Sequence, residues 1–93
     1  MNLAFFSNDR YRILLCMADR QIEVNGKTIV PLSQQDIADV VQLSKKKVNV
    51  IIGELKKNGY ILQQSSTRGK YSLTEKALGV IDQIQRDGGR IDE

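Results

Sequence analysis

Apolar residues recur at spacings of three and four positions in four segments of the chain, which predicts four amphipathic helices. The first helix is capped by Ser7 or Asn8 and runs to about Arg20. Cys16 and Met17 are expected to pack beside its apolar face. That face consists of four residues at helical spacing: Tyr11, Leu14, Leu15 and Ala18.

The second helix is short and has clear signals at both ends. Ser33 caps it, and Asp36 three positions later can accept hydrogen bonds from the free amides of the first turn. The helix is predicted to end near Val41 or Gln42, and Leu43 fills the turn that follows. Its inward face is formed by three residues: Ile37, Ala38 and Val41.

The third helix follows a cap at Ser44 and runs from Lys45 to Asn58, where Gly59 ends it. Its inward stripe consists of four residues: Val48, Ile51, Ile52 and Leu55. A fourth helix follows a cap at Thr74. Its apolar positions are also four: Ala77, Leu78, Ile81 and Ile84.

Alternation of apolar and polar residues predicts short strands between the first two helices. Ile22 and Val24 alternate with polar residues ahead of Asn25-Gly26, which is a strong hairpin signal. We expect Ile29 to Pro31 to form the first strand of a small sheet, because proline suits a strand edge or the entry to a helix.

A second hairpin is predicted from Tyr60 to Gln64 and Lys70 to Leu73, around a polar turn at Ser65 to Gly69. The order helix, β piece, helix, helix, hairpin, helix is that of a winged helix-turn-helix domain, an α+β fold made mostly of helices. Residues 1–87 are expected to form this single domain. Residues 88–93 begin with two glycines and are expected to form a flexible tail.

Three segments resemble the MarR, PadR and ArsR superfamily of bacterial regulators. Ala38 to Ser44 is similar to the helix-turn-helix core pattern A-x-x-(apolar)-G-(apolar)-S, with Gln42 where that pattern has glycine. Ser44 to Ile61 resembles the recognition helix and first wing strand, and Arg68 to Ala77 the wing and its return. The resemblance implies a DNA-binding protein. Gln42 must either adopt a left-handed conformation, at about 1 kcal/mol, or change the turn.

Composition argues against catalysis and against a metal site. The chain has no histidine, which removes the commonest general base and the commonest metal ligand. Its one cysteine, Cys16, cannot form an internal disulfide, and we expect packing there rather than a reactive thiol. We therefore expect no enzyme, no cofactor and no small-molecule ligand. No apolar run is long enough for a membrane helix and no signal peptide is evident, which predicts a cytoplasmic protein.

Positive charge is concentrated in one part of the chain. Between Ser44 and Lys76 there are eight basic residues and two acidic residues, a net charge of +6. Because the whole chain carries +3, the remaining residues carry −3. Ordinary solvated lysines are the simpler explanation, but segregation on this scale favours a polyanionic partner.

The predicted DNA-binding face of the third helix lies opposite its apolar stripe. Because the first turns of such a helix enter the major groove, Lys46 can donate to guanine and Asn49 can pair with adenine. Val50 either touches a thymine methyl or is a stray surface residue, and Gly53 either permits close approach or has no role. This face, its flanks and the cap comprise eight residues: Ser44, Lys45, Lys46, Lys47, Asn49, Val50, Gly53 and Lys57.

Six further residues are candidates for contact with the DNA backbone. Wing residues can reach the minor groove or its flanking phosphates, unless the hairpin tip is simply solvated. The start of the second helix has free amides that attract phosphate. The wing candidates are Thr67, Arg68 and Lys70. The helix candidates are Ser33, Gln34 and Gln35.

These features predict a small transcriptional regulator, a repressor, that binds an inverted repeat in double-stranded DNA as a homodimer. A centromere-binding protein of plasmid partition, or a replication-control protein, fits the sequence about as well. A winged helix that binds only protein is a weaker alternative, since three lysines at a helix start oppose the helix dipole unless an anion compensates. RNA binding is disfavoured because no aromatic cluster is available for stacking.

The dimer surface has two sources of candidates. One is an apolar N-terminal arm with Leu3, Phe5 and Phe6, although the two phenylalanines fit equally well as a cover for the domain's own core. The other is the fourth helix. Its candidates are Leu78, Ile81 and Ile84.

Overall fold

The computed structural model describes residues 8–63 and 71–87. Within these ranges four helices and two β-hairpins follow one another in the order predicted for a winged helix-turn-helix domain, so the fold class is confirmed. The helices are α1 (Asn8–Asp19), α2 (Gln34–Val41), α3 (Lys45–Lys57) and α4 (Glu75–Arg86). The strands are β1 (Ile22–Val24), β2 (Lys27–Ile29), β3 (Ile61–Gln63) and β4 (Tyr71–Leu73).

A single apolar core receives side chains from all four helices. Cys16 and Met17 are buried in it, as predicted, and burial raises the pKa of the Cys16 thiol, so this cysteine is a packing residue. Ile13 is also fully buried, although the spacing pattern did not select it. Because α1 packs against both α2 and α4, its buried face is wider than a single stripe.

The first hairpin forms where Asn-Gly predicted it. Asn25 and Gly26 both have positive φ, 52° and 79°, which is the conformation of a two-residue type I′ turn. Val24 pairs with Lys27 across this turn, and Ile22 pairs with Ile29. Local turn chemistry therefore determines both the position and the register of the hairpin.

The strand predicted at Ile29 to Pro31 is wrong in extent. Ile29 ends β2, and only Val30 continues toward the second hairpin, in an isolated bridge to Tyr71. The Val30 N–H donates to the Tyr71 carbonyl at 2.7 Å, and the Tyr71 N–H donates back at 3.2 Å. Pro31 has no N–H to extend the pairing, so the contact between the hairpins stops there.

The ends of α2 are determined by local hydrogen bonds. The Ser33 hydroxyl accepts from the Asp36 N–H at 3.1 Å, and the Asp36 carboxylate accepts from the Ser33 N–H at 3.0 Å, which completes the predicted capping box. These bonds hold the pKa of Asp36 below its usual value. At the other end Gln42 is left-handed, with φ 59° and ψ 46°, and the Leu43 N–H donates to the Ala38 carbonyl at 3.2 Å.

Replacing Gln42 with glycine is expected to raise the free energy of unfolding by about 0.5 kcal/mol. Glycine removes the left-handed strain of about 1–2 kcal/mol but loses part of this gain through its larger unfolded-state entropy. Urea unfolding should be compared with Gln83→Gly, an exposed helical glutamine where glycine should cost about 1 kcal/mol. Equal destabilisation by both substitutions would show that Gln42 is unstrained.

The end of α3 passes directly into the second hairpin. Gly59 has φ 79°, its N–H donates to the Lys56 carbonyl, and the Tyr60 N–H donates to the Leu55 carbonyl at 2.9 Å. This is a Schellman motif, as the glycine predicted. Tyr60 is buried at once, and β3 then pairs with β4 in antiparallel register. The base of the predicted wing therefore lies against α3.

The assignment of α4 requires two corrections. Leu78, predicted to face the core, is 43% exposed, and Val80 is fully buried instead. Ile81 and Ile84, proposed for a dimer surface, are buried in the domain's own core, so only Leu78 of that trio is available to a partner. Leu3, Phe5 and Phe6 lie outside the described residues. So do the predicted cap at Ser7 and the tail at 88–93.

Candidate nucleic-acid interface

The outer face of α3 is exposed along its length. The cap Ser44 and all seven candidates on the helix are exposed, and Val50 has 57% of its surface accessible. The stripe on the opposite side, from Val48 to Leu55, is buried as predicted. The helix has 13 residues and is therefore about 20 Å long. Helical periodicity alone thus separated the two faces correctly.

The acidic residue of α3, Glu54, does not neutralise this face. Its carboxylate turns toward α1, where Arg10 makes two contacts with it, Nη2 to Oε2 at 2.7 Å and Nε to Oε1 at 3.2 Å. Bidentate geometry of this kind is favourable for an arginine–carboxylate pair. The outer face of α3 consequently carries lysines without an intervening carboxylate of its own helix.

The three lysines at the start of α3 differ in their partners. Ser44 caps the helix by accepting from the Lys47 N–H at 3.1 Å. The Lys47 ammonium lies 2.7 Å from the Asp9 carboxylate, which holds the pKa of Asp9 below its usual value. Lys45 and Lys46 are exposed and form no ion pair with any residue in the described ranges. The anion that compensates the lysine-rich helix start is thus partly supplied by α1.

Asn49 is connected to α2 by a side-chain hydrogen bond. Its Nδ2 donates to Oε1 of Gln34 at 2.9 Å. Gln34 in turn directs Nε2 toward the Tyr71 hydroxyl at 3.5 Å, a long contact. The start of α2, the middle of α3 and the base of the wing therefore meet at Gln34. Sequence reasoning named Gln34 and Asn49 separately but gave no signal that they touch, since 15 positions separate them.

The other two candidates at the start of α2 have local partners. Ser33 participates in the capping box with Asp36. Gln35 donates Nε2 to Asp39 Oδ1 at 2.9 Å, along its own helix. Asp36 and Asp39 are both exposed, so this surface carries carboxylates beside the amides that would attract phosphate. Gln34 is the member of the trio that faces α3.

A cleft of about 470 Å³ is bordered by the start of α2, by α3 and by the base of the wing. Lys45, Asn49 and Gln63 line it together with Tyr71 and with residues at the start of α2 and its cap. Gln63 accepts from the Lys56 ammonium at 3.0 Å, which ties the base of the wing to α3. The sequence prediction omitted both Lys56 and Gln63. Thr67, Arg68 and Lys70, predicted at the wing tip, lie outside the described residues.

The polar side chains of the outer face of α3 and of the cleft beside it are mainly cations and amides. They can donate hydrogen bonds to phosphate oxygens and to base edges, and Val50 adds an apolar contact. Within residues 8–63 and 71–87, no cluster of three or more histidine, cysteine or acidic side chains is arranged to hold a metal. Among the same residues, none of the helices combines the length and apolar character of a bilayer span.

Gly53 allows the outer face to be tested directly. A Cβ at this position would meet nothing within 4 Å, and the same is true of Gly79 in α4. Alanine at either position should therefore raise the free energy of unfolding by about 1 kcal/mol, measured by urea denaturation. If DNA lies against α3, only Gly53→Ala should also weaken duplex binding. Unchanged affinity in both variants would show that DNA does not approach Gly53.

The residues of this surface lie in a segment of the chain that matches a known domain family. Residues 11–78 match the model of the Crp-like helix-turn-helix domain. No curated protein matches the chain by sequence. The matched range includes every described residue of the outer face of α3 and of the cleft beside it.

Solved structures with the same fold include two proteins much longer than this chain. The reduced (FeII) CO-sensing protein from R. rubrum has a TM-score of 0.70 at 20% identity, over 85% of this chain and 38% of that protein. A CRP/FNR family transcriptional regulator from Thermus thermophilus has a TM-score of 0.61 at 23% identity, over 91% and 41%. The chain thus spans about two fifths of these proteins.

A third structure matches over nearly its whole length. TubR bound to 24 bp of tubC, from Bacillus thuringiensis serovar israelensis pBtoxis, has a TM-score of 0.68 at 22% identity. The match covers 94% of this chain and 96% of TubR. At such identities the similarity concerns the fold.

Proposed function

Because the chain belongs to the Crp-like helix-turn-helix domain family, we propose that it binds double-stranded DNA sequence-specifically, as a homodimer, and acts as a small transcriptional regulator. The observation that carries this proposal is the outer face of α3, which exposes lysines and the Asn49 amide. The acidic residue of that helix, Glu54, is paired with Arg10 on α1 instead. A helix of about 10–12 Å diameter fits a major groove about 12 Å wide.

In the proposed complex, affinity and sequence choice come from different groups. Lys45, Lys46 and Lys57 neutralise phosphates along the groove, and Lys47 joins them by exchanging Asp9 for a phosphate. Asn49 and Val50 face the base edges, where an amide can read adenine and a valine can contact a thymine methyl. The wing residues Thr67, Arg68 and Lys70 stay predicted backbone or minor-groove contacts.

We propose a homodimer because of the spacing of half-sites along DNA. Two copies of a recognition helix related by a two-fold axis read half-sites about one turn, 34–36 Å, apart in an inverted repeat. Two half-sites together specify more base pairs than one recognition helix can contact. Sedimentation equilibrium should give twice the monomer mass of 10.5 kDa. A monomer at all protein concentrations, free and on DNA, would remove this part of the proposal.

A second candidate is a DNA-binding role in plasmid segregation. It is favoured by the extent of the match with TubR, a plasmid segregation protein, which covers 96% of that protein, whereas the CO-sensing protein and the CRP/FNR family regulator are matched over about two fifths. A segregation protein is expected to occupy tandem repeats cooperatively. The predicted likeness to the MarR, PadR and ArsR superfamily is compatible with either role and stays a prediction.

Selection of bound sites from random duplexes, followed by footprinting, distinguishes these roles. A transcriptional regulator should protect one inverted repeat, which consists of two half-sites. A segregation protein should select direct repeats and extend its footprint as repeats are added. Failure to bind any duplex at ~50 mM salt would contradict both, because nonspecific phosphate contacts are strongest there.

A further inference from the structure

We infer that Gln34 is a positioning residue for base readout, and that it makes Asn49 selective for adenine over guanine in the major groove. The inference rests on the proposed DNA binding and adds a specificity determinant to it. It starts from the 2.9 Å hydrogen bond in which Asn49 Nδ2 donates to Gln34 Oε1.

An asparagine amide has one oxygen acceptor and two N–H donors. On an exposed helix face it can rotate and present either end to a groove. In this protein one N–H donates to Gln34, and this hydrogen bond favours a single orientation of the amide. Asn49 is left with one N–H and one carbonyl oxygen directed outward.

The remaining pair of groups matches adenine and mismatches guanine. Adenine presents the N7 acceptor and an N6 amino donor, which pair with one N–H and one oxygen. Guanine presents two acceptors, N7 and O6, so the Asn49 oxygen would face an acceptor without a hydrogen between them. Without the Gln34 bond the amide could turn its nitrogen toward guanine, and the discrimination would fall.

Gln34 is itself well placed to hold this orientation. It is the first residue of α2, directly after the Ser33 cap, and it is only partly exposed. The Tyr71 hydroxyl lies 3.5 Å from its Nε2, and Tyr71 is buried, at 3% exposed, with its backbone paired to that of Val30. Gln34 is thus supported from the wing while it holds Asn49.

The test compares affinities for two duplexes that differ only at one base pair. Selected sites are first used to find the position at which Asn49→Ala loses its preference, and duplexes with adenine or guanine there are then prepared. The wild-type chain should prefer adenine by roughly tenfold or more. Gln34→Met keeps the side-chain length but has no acceptor, and it should reduce this preference to about threefold or less.

Three further variants distinguish positioning of Asn49 from a general loss of DNA binding. Gln34→Glu retains an acceptor for Asn49, so it should keep the adenine preference while its charge weakens binding to all duplexes. Gln83→Met alters an exposed glutamine of α4, which bonds Asp87 outside the proposed interface, and should change neither quantity. In the double variant Gln34→Met/Asn49→Ala, the preference should be no lower than in Asn49→Ala alone.

The possible failures are distinguishable. If the wild-type chain binds duplexes and prefers adenine, but Gln34→Met retains that preference, the positioning role is overturned and DNA binding stands. The same holds if the wild-type chain shows no preference at the position that Asn49 faces. If the wild-type chain binds no duplex, the proposed function itself fails, and the inference fails with it.

Discussion

Replacing Lys45 and Lys46 together with alanine is expected to weaken binding to any duplex about fiftyfold at ~0.1 M salt. Each lysine that neutralises a phosphate releases a counterion, so the double variant should also lower the slope of log affinity against log salt by about 1.8. Both ammonium groups are exposed on α3. Fluorescence anisotropy of a labelled duplex across a salt series measures affinity and slope together.

The matched control removes two positive charges elsewhere, in Lys27→Ala/Arg86→Ala. Lys27 lies on the first hairpin and Arg86 on α4, where it pairs with Asp82 at 3.0 Å, outside the proposed interface. This variant should keep nearly the wild-type salt slope. Equal losses in the two double variants would mean that binding depends on net charge alone. Lys47→Ala should lose less than Lys46→Ala, since Lys47 must first leave Asp9.

Replacing Leu55 with alanine is expected to lower the free energy of unfolding by about 2–5 kcal/mol. Leu55 is fully buried on the inward stripe of α3, and its carbonyl also accepts the Tyr60 N–H that ends the helix. The substitution leaves a cavity beneath the proposed recognition helix. Because domains of this kind are stable by only about 5–15 kcal/mol, urea unfolding should show a greatly reduced midpoint.

Leu78→Ala is the matched control for this substitution. Leu78 has the same side chain and also lies on a helix, but it is 43% exposed. Its replacement should cost less than about 1 kcal/mol, because less apolar surface returns to water. Equal destabilisation by the two substitutions would show that Leu78 faces the core, as its spacing predicted, and that α4 packs in a different orientation.

The elements with local signals were predicted well. Capping residues Ser33, Ser44 and Thr74 each accept a backbone N–H at the start of the helix assigned to them. Asn25-Gly26 and Gly59 adopt the positive φ that their positions require. These signals depend on hydrogen bonds between residues a few positions apart, so they can be recognised from the sequence alone.

Features that depend on packing between elements were predicted less well. Leu78 and Val80 both fit the apolar spacing of α4, and only the position of α1 and β4 against that helix decides which is buried. Ile81 and Ile84 were proposed for a partner because an isolated helix does not reveal how much of its apolar face the domain itself covers. Val30 pairs with Tyr71 from a distant part of the chain, which no local pattern encodes.

The same difference between local signals and contacts that join separate elements is found in the candidate site. Periodicity placed the lysines and Asn49 on the outer face of α3, where they are exposed. It could not predict that Asp9 pairs with Lys47, or that Gln34 holds Asn49, because these contacts join different helices. Charge and helical periodicity identified the surface from the sequence, whereas the arrangement of the helices determines which of its side chains are available to contact DNA.

Binding of DNA by the outer face of α3 is tested most directly by mapping amide chemical shifts of the labelled chain on adding a short duplex at ~50 mM salt. The largest changes are expected between Lys45 and Gly53 and at the start of α2 near Gln34. Changes centred on α4 or on the β1–β2 hairpin, with α3 unaffected, would contradict DNA binding by this face.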